Sequence, residues 1–315
     1  MKIIDMHCDT ISRLYQQKCA GTQEGLDRND GHLDLKRMGE SGYLLQNFAL
    51  FVNQGACEDS WQEVCALHEI YEEQMLRNQE RISPVRRYED IAEAEAAGRM
   101  GAMLTVEEGG VCGGSIERLE ELYDWGVRML TLTWNYPNEL GRPAKTAQGE
   151  GLTPKGREFI GEMERIGMIV DVSHLSDRGF YDVAELARKP FVASHSNARS
   201  ICGHFRNLTD DMIKKTAECG GCIGLNFYRD FLVENQEDSA LQALVRHAKH
   251  IVSVGGNEVL GLGSDFDGID TNEELPGAQS MGLLWDALHE SGFTQEQLDR
   301  IFYKNVLRLY REALR

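Results

Sequence analysis

Short apolar runs alternate along the chain with longer amphipathic stretches. The short runs are almost continuously hydrophobic, which is typical of strands buried on both faces of a parallel sheet. A strand with one solvent-exposed face would instead alternate apolar and polar residues. The pattern predicts eight buried strands, at 3–9, 43–52, 101–107, 127–134, 168–174, 190–195, 221–227 and 259–266.

The longer stretches have the residue spacing of amphipathic helices. The predicted helices cover about 58–79, 88–98, 115–125, 154–166, 177–188, 209–219, 238–254 and 279–291, with a last one from 295. Two of them have clear start signals, since Thr153-Pro154 places a capping residue before a first-turn proline and 294–297 has the form of a capping box. Eight strands alternating with helices predict an α/β protein with a (β/α)8 barrel of the TIM type. An open doubly wound sheet is the alternative.

The pattern continues without a repeat, a low-complexity segment or a linker, so we expect residues 1–315 to form a single domain. The most irregular regions are 18–36, 135–152 and 267–278. The second is rich in Asn, Pro and Gly and follows a predicted strand. Loops of this kind are expected to lie over the mouth of a barrel, where active sites form.

Charge limits the classes of partner. The 315 residues carry a formal net charge of -18, which argues against a nucleic-acid-binding protein and against a polybasic membrane anchor. The apolar run after Met1 is cut by Asp5, too early for a signal peptide, and no run approaches the roughly 20 apolar residues of a membrane span. We therefore predict a cytoplasmic protein whose eight cysteines are reduced thiols. The sequence Cys219-Gly220-Gly221-Cys222 has redox-motif spacing, but its glycines favour a helix stop before a strand.

The predicted strands end in residues that can bind a metal. In a parallel barrel the carboxyl ends of all strands meet on one face, so these side chains are expected to converge there. Histidines and carboxylates without thiolates suit catalytic zinc, with manganese or cobalt possible, and six candidates suggest two ions. Glu107 could bridge two ions, and its neighbour Glu108 is the rival for that role. The candidates are His7, Asp9, Glu107, His174, His195 and Asp265.

These candidates belong to a longer series of short motifs. The series is His7-x-Asp9, Val106-Glu107-x-Gly109, Asp171-Val172-Ser173-His174, Ser194-His195-Ser196, Arg206-Asn207 and Gly263-Ser264-Asp265-Phe266-Asp267-Gly268. In this order the motifs resemble those of the renal (membrane) dipeptidase family, peptidase family M19. The resemblance extends to Asn305-Val306-Leu307-Arg308 near the C-terminus, so it covers nearly the whole chain. Each motif is weak alone, but together and in order they are highly specific.

The resemblance implies a metal-dependent hydrolase barrel with two zinc ions per chain. It implies that His7 and Asp9 hold one zinc, that His174 and His195 hold the other, and that Glu107 bridges them. Two further positions have implied roles in catalysis and substrate binding. Asp265 would transfer protons as a catalytic carboxylate beside Glu107, and Arg206 and Tyr228 would face the substrate.

One departure from the family concerns substrate binding. After the fourth strand, mammalian members carry a histidine that binds substrate, whereas here Leu132-Thr133 is followed by Trp134-Asn135. An indole N–H donates one hydrogen bond but cannot become a cation or accept a proton. We include Trp134 and Asn135 among the substrate-binding candidates, with the alternative that Trp134 is only a packed aromatic residue at a strand end.

The predicted function is that of a zinc-dependent dipeptidase, which hydrolyses free dipeptides with a hydroxide activated by two zinc ions. Its partners would be small dipeptides, and the resemblance also implies a possible homodimer. One alternative is another metal-dependent amidohydrolase that acts on a cyclic amide or lactone. The other is a metal-binding protein without catalytic activity.

Overall fold

The computed structural model describes residues 1–22, 24–270 and 273–314. Each of the eight predicted strands overlaps an observed strand, and the short β3 was missed by the sequence analysis. The strands are β1 (Ile3–Asp5), β2 (Tyr43–Phe51), β3 (Ile82–Pro84), β4 (Met100–Glu107), β5 (Val127–Thr131), β6 (Ile169–Asp171), β7 (Val192–Ala193), β8 (Cys222–Leu225) and β9 (Leu260–Leu262).

Helices occupy the predicted intervals, and three further helices were not predicted. The helices are α1 (Thr10–Cys19), α2 (Leu35–Ser41), α3 (Ser60–Arg77), α4 (Tyr88–Ala96), α5 (Ile116–Trp125), α6 (Pro154–Ile166), α7 (Asp177–Leu186), α8 (Asp210–Glu218), α9 (Arg229–Leu232), α10 (Ala240–Gly255), α11 (Met281–Glu290), α12 (Gln295–Asp299) and α13 (Asn305–Ala313). The unpredicted ones are α1, α2 and α9. None of the helices in the described ranges is long and apolar enough to cross a membrane.

The strands close into a parallel barrel. Neighbouring strands pair in the order β2-β1-β9-β8-β7-β6-β5-β4, and β2 pairs with β4 to complete the ring of eight. The β2–β4 ladder runs from Leu45 opposite Gly101 to Phe51 opposite Glu107. Gly101 also pairs with Ser83 of β3, so β3 lies on the edge of β4 that β5 occupies farther along. The predicted TIM-type barrel is confirmed, and the open doubly wound sheet is wrong.

The interior of the barrel is filled by side chains from nearly every strand. Together with side chains of the C-terminal helix α13 they form one buried hydrophobic cluster. The Tyr310 hydroxyl of α13 donates a hydrogen bond of 2.9 Å to Asn47 Oδ1 inside the barrel. Helix α13 therefore closes the amino end and leaves the carboxyl end for chemistry. The strand residues of the cluster are Ile4, Met6, Leu44, Leu45, Met103, Met129, Ile169, Val192 and Cys222.

Helix ends follow the local sequence signals. The Thr153 hydroxyl accepts a hydrogen bond from the Gly156 N–H at the start of α6, and Thr294 and Gln297 form the predicted capping box. Helix α8 ends before Gly220, whose φ of +70° is a left-handed conformation that glycine adopts without steric cost. Strand β8 begins at Cys222, so the helix-stop interpretation of residues 219–222 is confirmed.

Candidate metal centre and substrate cavity

Six potential ligands converge at the carboxyl end of the barrel, as the strand ends predict. Glu107 lies at their centre. Its Oε1 is 2.9 Å from His174 Nε2 and 3.4 Å from His195 Nε2, while its Oε2 is 3.5 Å from His7 Nε2. His7 Nε2 is also 3.3 Å from Asp9 Oδ2. All of these side chains are buried. The two oxygens of Glu107 thus face two separate groups of ligands.

Asp265 completes the cluster on the side of His7. Its Oδ1 is 3.7 Å from His7 Nε2, and its Oδ2 accepts a hydrogen bond of 2.9 Å from Asn226 Nδ2. Burial raises the pKa of Asp265, although the charge of His7 opposes that rise. Sequence analysis missed Asn226. It directly follows β8 and could have been found by the same strand-end rule that identified the ligands.

Glu107 and Glu108 have opposite orientations. Glu108 turns away from the ligands and accepts hydrogen bonds from the N–H groups of Gly110 and Trp134 and from the Asn138 amide. Burial raises the pKa of Glu108 to about 7. Burial also opposes charge on Glu107, but the charge of His7 and the other imidazoles close to it hold its pKa well below the usual range. Of these two neighbouring residues, Glu107 is therefore the one whose ionised carboxylate faces the imidazoles.

The hydrogen bonds of the histidines fix where their lone pairs point. His174 Nδ1 lies 3.2 Å from Asn135 Oδ1, which can only accept, so this nitrogen carries the proton. His195 Nδ1 lies 2.8 Å from the Ser194 hydroxyl, which donates its own proton to Asp171 Oδ2, so this imidazole nitrogen is protonated as well. Both Nε2 atoms are then unprotonated, and they are 2.9 Å apart. Two lone pairs at this distance, beside a carboxylate oxygen, repel each other unless a cation lies between the ligands.

Electrostatics also indicate a cation. Burial, followed by the charge of Arg206, lowers the pKa of His174 to about 4, so this imidazole is neutral. Burial disfavours charge on His7, but Glu107 and Asp9 raise its pKa well above the usual range. Within the described residues, His7 Nε2 and Asp9 Oδ1 are buried without a hydrogen-bond partner. The nitrogen and oxygen donors fit a zinc-type ion, which prefers imidazole and carboxylate ligands.

The backbone is strained beside the ligands. Among the described residues, Glu108, His174, Asp265 and Asp267 are the non-glycine residues with φ in the left-handed region, at 106°, 69°, 67° and 68°. Such conformations cost about 1–3 kcal/mol each and cluster at functional sites, where the surroundings hold them in place. Here they lie at or just beyond the carboxyl ends of three strands, so the strain coincides with the ligand cluster.

A cavity of about 510 Å³ opens over the cluster. Trp134, Asn135 and Tyr228, which were predicted to bind substrate, line it together with residues 267–270. Of the irregular regions, 135–152 contributes Asn135 to the lining and 267–278 contributes 267–270, while residues 271 and 272 lie outside the described residues. Helix α1, which was not predicted, forms another part of the wall through Ser12, Arg13 and Gln16.

Trp134 is both packed and accessible. Its ring lies edge-on to Phe51, with ring centroids 4.9 Å apart, and 6.2 Å from the ring of His174. Tyr228 donates its hydroxyl proton to Asp230, at 3.0 Å. Trp134 is therefore a packed aromatic residue that also lines the cavity, and its contact with substrate stays a prediction.

Arg206 lies behind the cavity wall and is not among its lining residues. It is buried, and its guanidinium carbon lies 5.3 Å from the ring of Phe231, which lines the cavity. Its Nη2 donates a long hydrogen bond of 3.4 Å to the His195 carbonyl, and its Nε has no partner in the part of the chain that the structure describes. Burial lowers the pKa of Arg206 to about 10, although Asp265 and Glu107 favour its charge. This buried cation lacks a full set of acceptors.

Known proteins share both the sequence and the fold. The family model of membrane dipeptidases, peptidase family M19, matches residues 1–315. The chain belongs to this family. An uncharacterized dipeptidase of Schizosaccharomyces pombe is 35% identical over 208 residues, which span 63% of this chain and 50% of the yeast protein.

Two solved structures of the family superpose closely. Dipeptidase AC, a metallopeptidase of family M19, has a TM-score of 0.92 and 26% identity, over 100% of this chain and 99% of that one. A metallopeptidase of Rhodobacter sphaeroides, liganded with a phosphinate mimic of the dipeptide L-Ala-D-Ala, has a TM-score of 0.91 and 25% identity over 99% of both chains. Membership of this metallopeptidase family supports a metal-dependent hydrolase that acts on small peptides.

Proposed function

We propose that this protein is a zinc-dependent dipeptidase with two zinc ions per chain. The observation that carries the proposal is the central position of Glu107, whose two oxygens face two groups of buried ligands. His7 and Asp9 would hold one ion, His174 and His195 the other, and Glu107 would contact both. When bound, such ions supply Lewis acidity that activates water and polarises the scissile carbonyl.

The protein's own residues would orient the substrate and move the proton. Asp265 is held at Oδ2 by Asn226, so Oδ1 is the oxygen free to take a proton from the attacking water and pass it to the leaving amine. Trp134, Asn135 and Tyr228 line the cavity and would contact the dipeptide. The volume of about 510 Å³ accommodates a small ligand and is within the usual range for such sites.

A substrate panel tests this function. Free dipeptides should be hydrolysed, and cyclic amides, lactones and longer peptides should not. Turnover of cyclic amides or lactones in place of dipeptides would favour the other amidohydrolase activity. Stoichiometric metal without turnover of any member of the panel would favour a non-catalytic metal-binding protein.

Arg206 is the proposed partner of the substrate carboxylate. A guanidinium fork suits a carboxylate, and this one is buried with an unpartnered Nε. Arg206→Ala should raise KM for free dipeptides by roughly one to three decades, since a lost charge-assisted contact costs about 1.5–3 kcal/mol or more.

C-terminal amides of the same dipeptides serve as the matched control. In the wild type, amidation should weaken the substrate greatly because it removes the carboxylate. In Arg206→Ala, amidation should matter far less, because the partner of that carboxylate is already gone. Equal turnover of dipeptides and amides by the wild type would contradict this role for Arg206.

A further inference from the structure

A buried carboxylate ties together the strand ends that carry two of the histidines. Asp171, the last residue of β6, is almost fully buried. Its Oδ1 accepts hydrogen bonds from the N–H groups of Ser173, at 3.0 Å, and Ser194, at 2.9 Å. Its Oδ2 accepts from the hydroxyls of Thr131, at 2.7 Å, and Ser194, at 2.6 Å. One side chain therefore links the ends of β5, β6 and β7.

The Ser194 hydroxyl connects this carboxylate to an imidazole. A hydroxyl has one proton, and Ser194 donates it to Asp171 Oδ2 because a carboxylate oxygen can only accept. The contact of 2.8 Å between Ser194 Oγ and His195 Nδ1 must then be donated by the imidazole. His195 is fixed with its proton on Nδ1, and its Nε2 lone pair faces Glu107. The backbone N–H of His195 is also held, by the Ser173 hydroxyl at 3.1 Å.

The other histidine of the pair has a weaker support. His174 Nδ1 faces the neutral Asn135 amide at 3.2 Å, and Asn135 itself lines the cavity. A chain from carboxylate to hydroxyl to imidazole polarises the ring and stiffens its orientation more than a neutral amide does. The two imidazoles thus differ in the hydrogen-bond partner of Nδ1, which is a neutral amide for His174 and a carboxylate-linked hydroxyl for His195.

A second clamp of the same design lacks the imidazole. Asp5, the last residue of β1, accepts from the N–H of Ser264 at 2.9 Å and from its hydroxyl at 2.5 Å. Ser264 follows β9 much as Ser194 follows β7, but the next residue is Asp265 instead of a histidine. The chain therefore offers a matched pair of serines, of which Ser194 alone of the two contacts an imidazole nitrogen.

We propose that Asp171 and Ser194 are positioning residues that set the affinity of the His195 side of the centre for its metal ion. The inference rests on the proposed function, in which His195 is a metal ligand. Outer partners of metal-bound histidines fix the tautomer and raise ligand basicity, and their loss typically costs 10–100-fold in metal affinity or activity.

The test compares Ser194→Ala with Ser264→Ala in the full-length protein. Zinc affinity is measured by competition with a chromophoric chelator, which resolves a tight and a weak step. Ser194→Ala should weaken one step roughly 10–100-fold and leave the other nearly unchanged. Ser264→Ala should leave the step that Ser194→Ala weakens within a few-fold of the wild type, because Ser264 contacts the backbone of His7 and no atom of His195. Asp171 keeps three of its four hydrogen bonds in Ser194→Ala, so the fold should persist.

Asp171→Asn provides a second variant of nearly the same size. Its amide N–H would donate to Ser194, turning that hydroxyl toward His195 Nδ1 and moving the imidazole proton onto Nε2. This variant should lose at least as much affinity at the same step. The melting temperatures of the metal-free variants report stability separately.

Three results would overturn the inference. Unchanged zinc affinity in either folded variant would do so, as would equal losses in Ser194→Ala and Ser264→Ala or a loss spread evenly over both steps. A wild-type protein that binds no metal would instead refute the proposed function, so the two failures are distinguishable.

Discussion

Asp265→Asn is expected to keep its metal and to lose roughly 10²–10⁴ in kcat, the usual effect of a positioned acid–base group. Asn has the same shape but cannot accept the proton. It also tolerates the left-handed backbone at this position, where φ is 67°, so the loop should keep its course. Metal content, melting temperature and kcat are measured on one preparation.

The same three measurements separate the other possible roles of Asp265. If it ligated a metal, Asp265→Asn would shed an ion together with activity. If it only stabilised the following loop, the variant would lose melting temperature with kcat nearly intact.

Asp267→Asn provides a matched control for the loss of a carboxylate. Asp267 is also in a left-handed conformation, at φ 68°, and its oxygens accept from the Thr10 hydroxyl at 2.6 Å and the His32 N–H at 2.7 Å. Its carboxylate is occupied by these structural bonds. Asp267→Asn should therefore lower the melting temperature more than it lowers kcat.

The barrel was predictable because its strands are buried on both faces and read as continuous apolar runs. Strand β3 was missed for the same reason, since its three residues, Ile82–Pro84, include a partly buried serine and an exposed proline. Helix α1 starts directly after Asp9, whose carboxylate lies in the ligand cluster and makes no capping bond, so the sequence analysis took Asp9 as a strand end and not as a helix start. Helix α2 was missed although its signals are ordinary, with Asp34 accepting from the Arg37 N–H at its start and Gly42 in a left-handed conformation at its end.

Convergence of the ligands was also predictable, because parallel strands end on one face. The choice between Glu107 and Glu108 was not. A regular strand would alternate their directions predictably, but the chain turns at Glu108 with a φ of 106°. Periodicity no longer applies at such a position. The bridging role of Glu107 stays a prediction, as do zinc, the cytoplasmic location and the homodimer.

Arg206 and Ser194 illustrate a further limit of sequence reasoning. Arg206 was expected to face the substrate; its guanidinium lies behind the cavity wall next to Phe231, and its contact with the substrate carboxylate stays a prediction. Ser194 was noticed only as part of a motif, because its link to Asp171 joins residues 23 positions apart in the sequence. Motif order can predict which residues assemble, but three-dimensional contacts decide which of them touch.

Removal of metal is expected to abolish turnover, and elemental analysis of the purified protein should find about two ions per chain. The reason is the two-sided position of Glu107, with His7 and Asp9 on one side and two neutral imidazoles on the other. Chelator treatment should leave an inactive protein that zinc reactivates in proportion to the ions regained.

His195→Ala should lose one ion and most of the activity, since His195 and His174 together hold that ion in the proposed centre. His250→Ala is the matched control, because His250 lies on α10 and pairs at 2.7 Å with Asp210, away from the ligand cluster. It should keep both ions and full activity. A reproducible single ion in a fully active wild-type protein would rule out the two-ion centre, because one side of Glu107 would then face no metal during turnover. If that single ion lay beside His7, the Nε2 lone pairs of His174 and His195 would face each other at 2.9 Å with no cation between them. Their mutual repulsion argues against a fully active protein with one ion in that position.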